Sequence, residues 1–172
     1  QKEGFKKTIG DMTNFRPTIL IVDDDESMRN ILGAILKQDY NVLKAADGES
    51  ALEIVEKEEV NIVLLDILLP GINGLDVLGE IKGRFGDIEV VMITAVKDVS
   101  TAVKAIKLGA YDYITKEFNY DEVTNLIKRV IEKQNLSREV LYLHSEIEQF
   151  ITDGLVMGNS PQMREIFDIV ER

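Results

Sequence analysis

Residues 61–66 read Asn61-Ile62-Val63-Leu64-Leu65-Asp66, an apolar run that ends on a carboxylate and is stopped by Leu68-Leu69-Pro70-Gly71. A continuous Ile/Val/Leu run of about four to eight residues closed by turn residues is the pattern of a strand buried on both faces, as in a parallel sheet. Asp66 then stands at the carboxyl end of a strand. In an open α/β sheet the loops leaving that edge diverge and open a crevice where ligands bind. Asp66 is therefore read as the reacting group.

Working outward, four more segments have strand character. Thr18-Ile19-Leu20-Ile21-Val22 delivers Asp23, Asp24 and Asp25 at its end, and Asn41-Val42-Leu43-Lys44 is a weaker strand. Glu89-Val90-Val91-Met92-Ile93-Thr94 ends on a hydroxyl, and Tyr111-Asp112-Tyr113-Ile114-Thr115 is closed by Lys116. Between them lie segments of helical period: Met28, Ile31, Leu32, Ile35 and Leu36; Ala51, Leu52, Ile54 and Val55; Leu75, Leu78 and Ile81; Val99, Ala102, Val103 and Ile106 before Gly109. Strands alternating with helices predict an α/β fold with a doubly wound, five-stranded parallel sheet. Right-handed crossovers restrict the topology, and the flavodoxin-like order 2-1-3-4-5 is the expected one. In that order Asp23 and Asp24 face Asp66 across the switch point, and Thr94 and Lys116 arrive from strands four and five.

The 172 residues suffice for one full-sized core and a short appendage. No apolar run approaches the roughly 18 residues of a membrane span, and residues 1–17 lack the apolar centre of a secretory signal. With no cysteine there is neither a disulfide framework nor thiolate chemistry, so the cytoplasm is the expected location. The 31 acidic against 20 basic side chains give a net charge of −11, which argues against direct nucleic-acid binding by this stretch and favours cations as guests.

From Asp121 to Asp153 there is neither Gly nor Pro, so one helix of about 30 residues is expected, with Asn119 and Glu122 as a capping box. Its first half carries Val123, Leu126, Ile127, Val130 and Ile131 as a sheet-packing face. Its second half carries Leu136, Val140, Leu143, Ile147 and Phe150 at 4-3-4-3 spacing, a short coiled-coil seam that predicts a parallel homodimer. His144 lies between seam positions and is expected to be solvated or interfacial. After Gly154, Ser160-Pro161 opens a last amphipathic segment through Met163, Ile166, Phe167 and Val170.

Three carboxylates brought together need a counter-charge, since two of them about 5 Å apart repel by roughly 3 kcal/mol at an effective dielectric near 20. A hard divalent cation such as Mg²⁺ relieves this, and the nitrogen and sulfur ligands that zinc prefers are missing. With Lys116 as a second cation and Thr94 as a hydroxyl, the pocket suits a phosphoryl group carried by Asp66, because a carboxylate is a competent nucleophile toward phosphorus. Asp25 is read as a helix N-cap.

Together these residues resemble the receiver domain of two-component response regulators. The resemblance runs from about Thr18 to Ile131 through Ile21-Val22-Asp23-Asp24-Asp25, Leu64 to Gly71, Val91-Met92-Ile93-Thr94-Ala95 and Gly109 to Lys116. It implies a CheY-like fold in which Asp66 accepts a phosphoryl group from the phosphohistidine of a sensor histidine kinase. It further implies that Asp23, Asp24, Asp66 and the Leu68 carbonyl hold Mg²⁺, that Thr94 and Lys116 bind phosphoryl oxygens, and that Tyr113 turns inward with Thr94 as a switch. Such a domain is a signalling module rather than an enzyme. The family usually has a cis-bonded Pro after the conserved Lys; Glu117 stands there, which implies a strained or differently routed loop.

Residues 101–112 are similar to the NtrC branch, and residues 156–169 to the opening of that branch's AAA+ ATPase domain, which drives sigma-54 RNA polymerase. The expected organisation is thus an N-terminal extension or added residues over 1–16, a receiver domain over 17–132, a linker helix over 133–153 and the start of an AAA+ domain over 154–172. No G-x-x-x-x-G-K-[ST] loop is present in the sequence. Two other readings compete: a pseudo-receiver that only docks partners, which the intact acidic triad disfavours, and a haloacid-dehalogenase-type phosphatase. The latter would use Asp23 and Asp25 as its Asp-x-Asp motif and leaves Asp66, Thr94 and Lys116 without a role.

Overall fold

A computed structural model describes residues 16–154, with the side chains of 146–154 outside the description. Among the described residues there are five strands, β1 (Thr18–Val22), β2 (Asn41–Ala45), β3 (Ile62–Leu65), β4 (Glu89–Thr94) and β5 (Asp112–Thr115). They alternate with α1 (Glu26–Leu36), α2 (Gly48–Lys57), α3 (Gly74–Arg84), α4 (Val99–Lys107) and α5 (Tyr120–Gly154). The sheet order is β2-β1-β3-β4-β5, and every pairing is parallel. This is the expected doubly wound fold. One compact unit runs through Val130 and a second begins at Ile131.

Of the three central strands β3 is apolar along its whole length, and β1 and β4 are apolar from Ile19 to Val22 and from Val90 to Ile93, because both faces are covered. Leu20, Val22, Val63, Leu65, Val90 and Met92 join Ala51 and Val55 of α2 and Val77, Leu78 and Ile81 of α3 in one buried cluster. On the alternate positions Ile19, Ile21, Ile62, Leu64 and Ile93 are also buried, as are Leu32 and Leu36 of α1 and Val123, Leu126, Ile127 and Val130 of α5. The edge strand β2 is mostly part-exposed, which explains its weaker pattern in the sequence.

Each helix starts on a short polar side chain that accepts a hydrogen bond from the first turn, as helix N-termini require. Asp25 accepts from the Ser27 amide at 2.8 Å, Asp47 from Ser50 at 2.7 Å, Asn73 from Leu75 at 2.9 Å, Asp98 from Thr101 at 2.9 Å and Asn119 from Asp121 at 3.1 Å. Asp25 is thus a cap, as read. Gly109, just past α4, has φ +97°, a left-handed conformation that glycine adopts without strain.

The ladders overrun the strands by one residue at the carboxyl edge. The Asp23 amide donates to the Ala45 carbonyl at 3.2 Å, that of Asp66 to Val22 at 2.9 Å and that of Lys116 to Thr94 at 2.8 Å. The backbone of each of these residues is therefore held as firmly as a strand while its side chain leaves the sheet.

Candidate phosphoryl-acceptor site

Carboxylate oxygens of Asp23, Asp24 and Asp66 all lie within 4.8 Å of one another, the first and last residues buried and Asp24 exposed. The backbone shapes the cluster. The Asp25 amide donates to Asp23 Oδ1 at 2.9 Å, and the Leu68 amide donates to Asp66 Oδ1 at 3.2 Å. Lys116 Nζ reaches in from the end of β5, 2.8 Å from Asp23 Oδ2 and 2.7 Å from Asp66 Oδ2. It bridges the two carboxylates directly rather than standing across the crevice from them.

Burial pushes the Asp23 pKa up, and the hydrogen bonds from Lys116 and the Asp25 amide offset this only in part. For Lys116 burial works toward a lower value, but the hydrogen bonds to Asp23 and Asp66 outweigh it and its pKa is raised. The ammonium thus stays charged. Three carboxylates against one lysine leave the pocket short of positive charge, and an all-oxygen donor set matches a hard divalent cation.

Thr94 is fully buried at the end of β4, and its Oγ1 accepts from the Val96 amide at 3.4 Å. Tyr113 is half-buried and its hydroxyl donates to the Val96 carbonyl. Both residues therefore meet at the β4–α4 loop. Leu68 exposes its side chain, while its amide faces Asp66. In the second unit Leu136, Val140 and Leu143 of the seam are exposed, as is His144; the side chains of Ile147 and Phe150 lie outside the described residues, as do residues 1–15 and 155–172.

Two contacts were not legible in the sequence. Arg29, one turn into α1, donates from one guanidinium nitrogen to the carbonyls of Asp23 at 2.6 Å and Asp24 at 2.9 Å. Glu117 pairs with Lys97 of the β4–α4 loop at 2.6 Å, and the Lys116–Glu117 peptide is trans, so the loop follows a different route from the family's cis-Pro turn while still delivering Lys116 to the carboxylates. Arg29 is close in sequence to the carbonyls it holds, but its residue type does not mark a backbone carbonyl as its partner, and Lys97 and Glu117 come from different loops.

Among the described residues no helix is long and apolar enough to cross a membrane. A family model described as the response regulator receiver domain matches residues 19–128. A response regulator NtrX-like protein of Rickettsia bellii is 43% identical over 145 residues, covering 83% of this chain and 30% of that protein. The regulatory protein AtoC of Escherichia coli is 33% identical over 149 residues, covering 86% of this chain and 32% of its own length. The chain thus spans about a third of these curated relatives. The crystal structure of the receiver domain of NtrX from Brucella abortus superposes with a TM-score of 0.63 at 38% identity, covering 66% of this chain and 98% of that one.

Proposed function

The chain belongs to the response regulator receiver domain family, with relatives of the NtrX and AtoC type, and on that premise we propose that Asp66 is its phosphoacceptor. The observation that carries the proposal is the convergence of Asp23, Asp24 and Asp66 within 4.8 Å with Lys116 Nζ 2.7 Å from Asp66. A carboxylate oxygen of Asp66 attacks the phosphorus of a sensor histidine kinase's phosphohistidine. The new O–P bond replaces the P–N bond, and the departing imidazole recovers its electron pair and a proton.

Asp23, Asp24, Asp66 and the Leu68 carbonyl would hold Mg²⁺, which when bound neutralises charge on the phosphoryl oxygens. Lys116 leaves its bridge between Asp23 and Asp66 to bind a phosphoryl oxygen, and Thr94 exchanges its bond to the Val96 amide for another. Tyr113 and the β4–α4 loop respond to that exchange, so a local dianion biases a two-state surface.

The seam through Leu136, Val140, Leu143, Ile147 and Phe150 joins two copies in this reading, with residues 17–132 as the receiver and 133–153 as the linker. Residues 154–172 begin the AAA+ domain of a longer, cytoplasmic protein that works on sigma-54 RNA polymerase. Incubation with acetyl phosphate and Mg²⁺ tests the central claim. Intact-mass analysis should find one added phosphoryl group on the wild type and none on Asp66→Asn; a group that survives this substitution refutes the assignment. Sedimentation with and without beryllofluoride tests the coupling to dimerisation, which a mass independent of the mimic would exclude.

A further inference from the structure

The turn from β3 to α3 brings two stretches of backbone closer than any side chain would allow. A methyl group built on the Gly74 Cα would stand 1.9 Å from the Asp66 carbonyl oxygen and 2.8 Å from both the Asp66 carbonyl carbon and the Ile67 Cα, whereas real Cβ contacts essentially never fall below 3.0 Å. Gly74 is buried and its φ is not positive, so space and not backbone freedom demands glycine here. Its amide donates to the Ile67 carbonyl at 2.9 Å, closing the turn at the point of contact. Asp66 is held on its other sides by the Val22 carbonyl, the Leu68 amide and Lys116. The start of α3 is thus the remaining wall against which its backbone is set.

We propose that Gly74 is a positioning residue for Asp66: the missing side chain lets α3 begin against the acceptor's own carbonyl, and this contact sets the reach of the carboxylate toward Asp23, Asp24 and Lys116. The inference rests on the reading of Asp66 as phosphoacceptor. Restoring even 3.0 Å requires the Asp66 backbone or the start of α3 to yield by 3.0 − 1.9, or about 1.1 Å. A misplacement of about 1 Å lowers the rate of a reaction that depends on alignment by roughly 100-fold. The same helix supplies a matched control, because a Cβ on Gly79 would meet nothing within 4 Å. Alanine is the better helix former, so Gly79→Ala should firm α3 without touching the site.

The 172-residue chain is compared as wild type, Gly79→Ala and Gly74→Ala/Gly79→Ala, using acetyl phosphate at saturating donor and Mg²⁺ and intact-mass time courses at a temperature where all three are folded by circular dichroism. Gly79→Ala should match the wild-type rate, and the double variant should be about 100-fold slower. The rise in melting temperature on adding Mg²⁺, which loosened packing elsewhere would not alter, should shrink in the double variant alone. A double variant phosphorylated at the wild-type rate, or one with an unchanged Mg²⁺ response, overturns the proposal. So does a double variant that cannot fold, since glycine would then serve the fold rather than the site. If the wild type itself takes no phosphoryl group at Asp66, the acceptor assignment has failed and the role of Gly74 falls with it.

Discussion

The two walls of the pocket are built differently. At the ends of β1 and β3, Asp23 and Asp66 are buried, and each carboxylate is held by an amide of its own loop, from Asp25 and Leu68. At the ends of β4 and β5, Thr94 and Tyr113 are bonded to Val96, and Lys97 to Glu117, so their partners belong to the β4–α4 loop. Lys116 joins the walls, its backbone on β4 and its ammonium on the carboxylates. One wall is preorganised to hold charge. The other is engaged in bonds to a neighbouring loop, and the proposed switch would have its moving part there.

The comparison is most easily broken at the joint. Replacing Lys116 by Met leaves two buried carboxylates without their cation, and losing one partner of a buried ion pair is strongly destabilising. Urea unfolding without metal should show a loss of about 3 kcal/mol, partly restored by Mg²⁺. A loss below about 1 kcal/mol would mean that the walls do not depend on this bridge.

The carboxylate wall is sharpened by Asp23→Asn. Because burial raises the folded pKa of Asp23, its contribution to stability is present below the ordinary value of 3.8 and is lost as pH rises through the folded value. At pH 7 without metal the variant should have a higher urea midpoint than the wild type, and the two should converge as the pH falls toward 4. In the same assay Mg²⁺ should stabilise only the wild type. A variant less stable than wild type at pH 7 would show that the pairing of Asp23 outweighs its burial.

On the other wall Thr94→Ala removes one buried hydroxyl and should cost about 1 kcal/mol. The response of Tyr113 to beryllofluoride, followed by its ring resonances, should vanish while Mg²⁺ binding persists. An undiminished tyrosine response would detach Thr94 from the switch. The smallest effect is expected at Asp98, where hydrogen bonds from Ser100 and Thr101 hold the carboxyl at about 2. That depressed value adds stability above the ordinary 3.8 that is lost as pH falls toward 2. Amide protection in the first turn of α4 should fade over that window in the wild type, and Asp98→Ala should abolish the pH dependence; protection that stays flat in the wild type would contradict it.

Much of this was legible because one-dimensional pattern and three-dimensional environment coincide in a parallel sheet. Ile62 to Leu65 had to be apolar throughout once both faces were covered, and the residue after such a strand must leave the sheet at its carboxyl edge. Thus Asp23, Asp66 and Lys116 could be placed at one edge from the sequence, as could the caps Asp25 and Asn119, whose bonds are local. Contacts between loops were not legible. That Lys116 bridges the carboxylates and that Glu117 pairs with Lys97 depend on where separate crossovers return, and that Arg29 grips the carbonyls of Asp23 and Asp24 and that Gly74 lies against Asp66 depend on the path of the β1–α1 and β3–α3 turns. The sequence alone determined which chemical groups reach the edge, because strand period and turn residues act over a few positions. Only the tertiary structure decided their partners, because those distances are set by how helices several strands apart pack onto the same sheet.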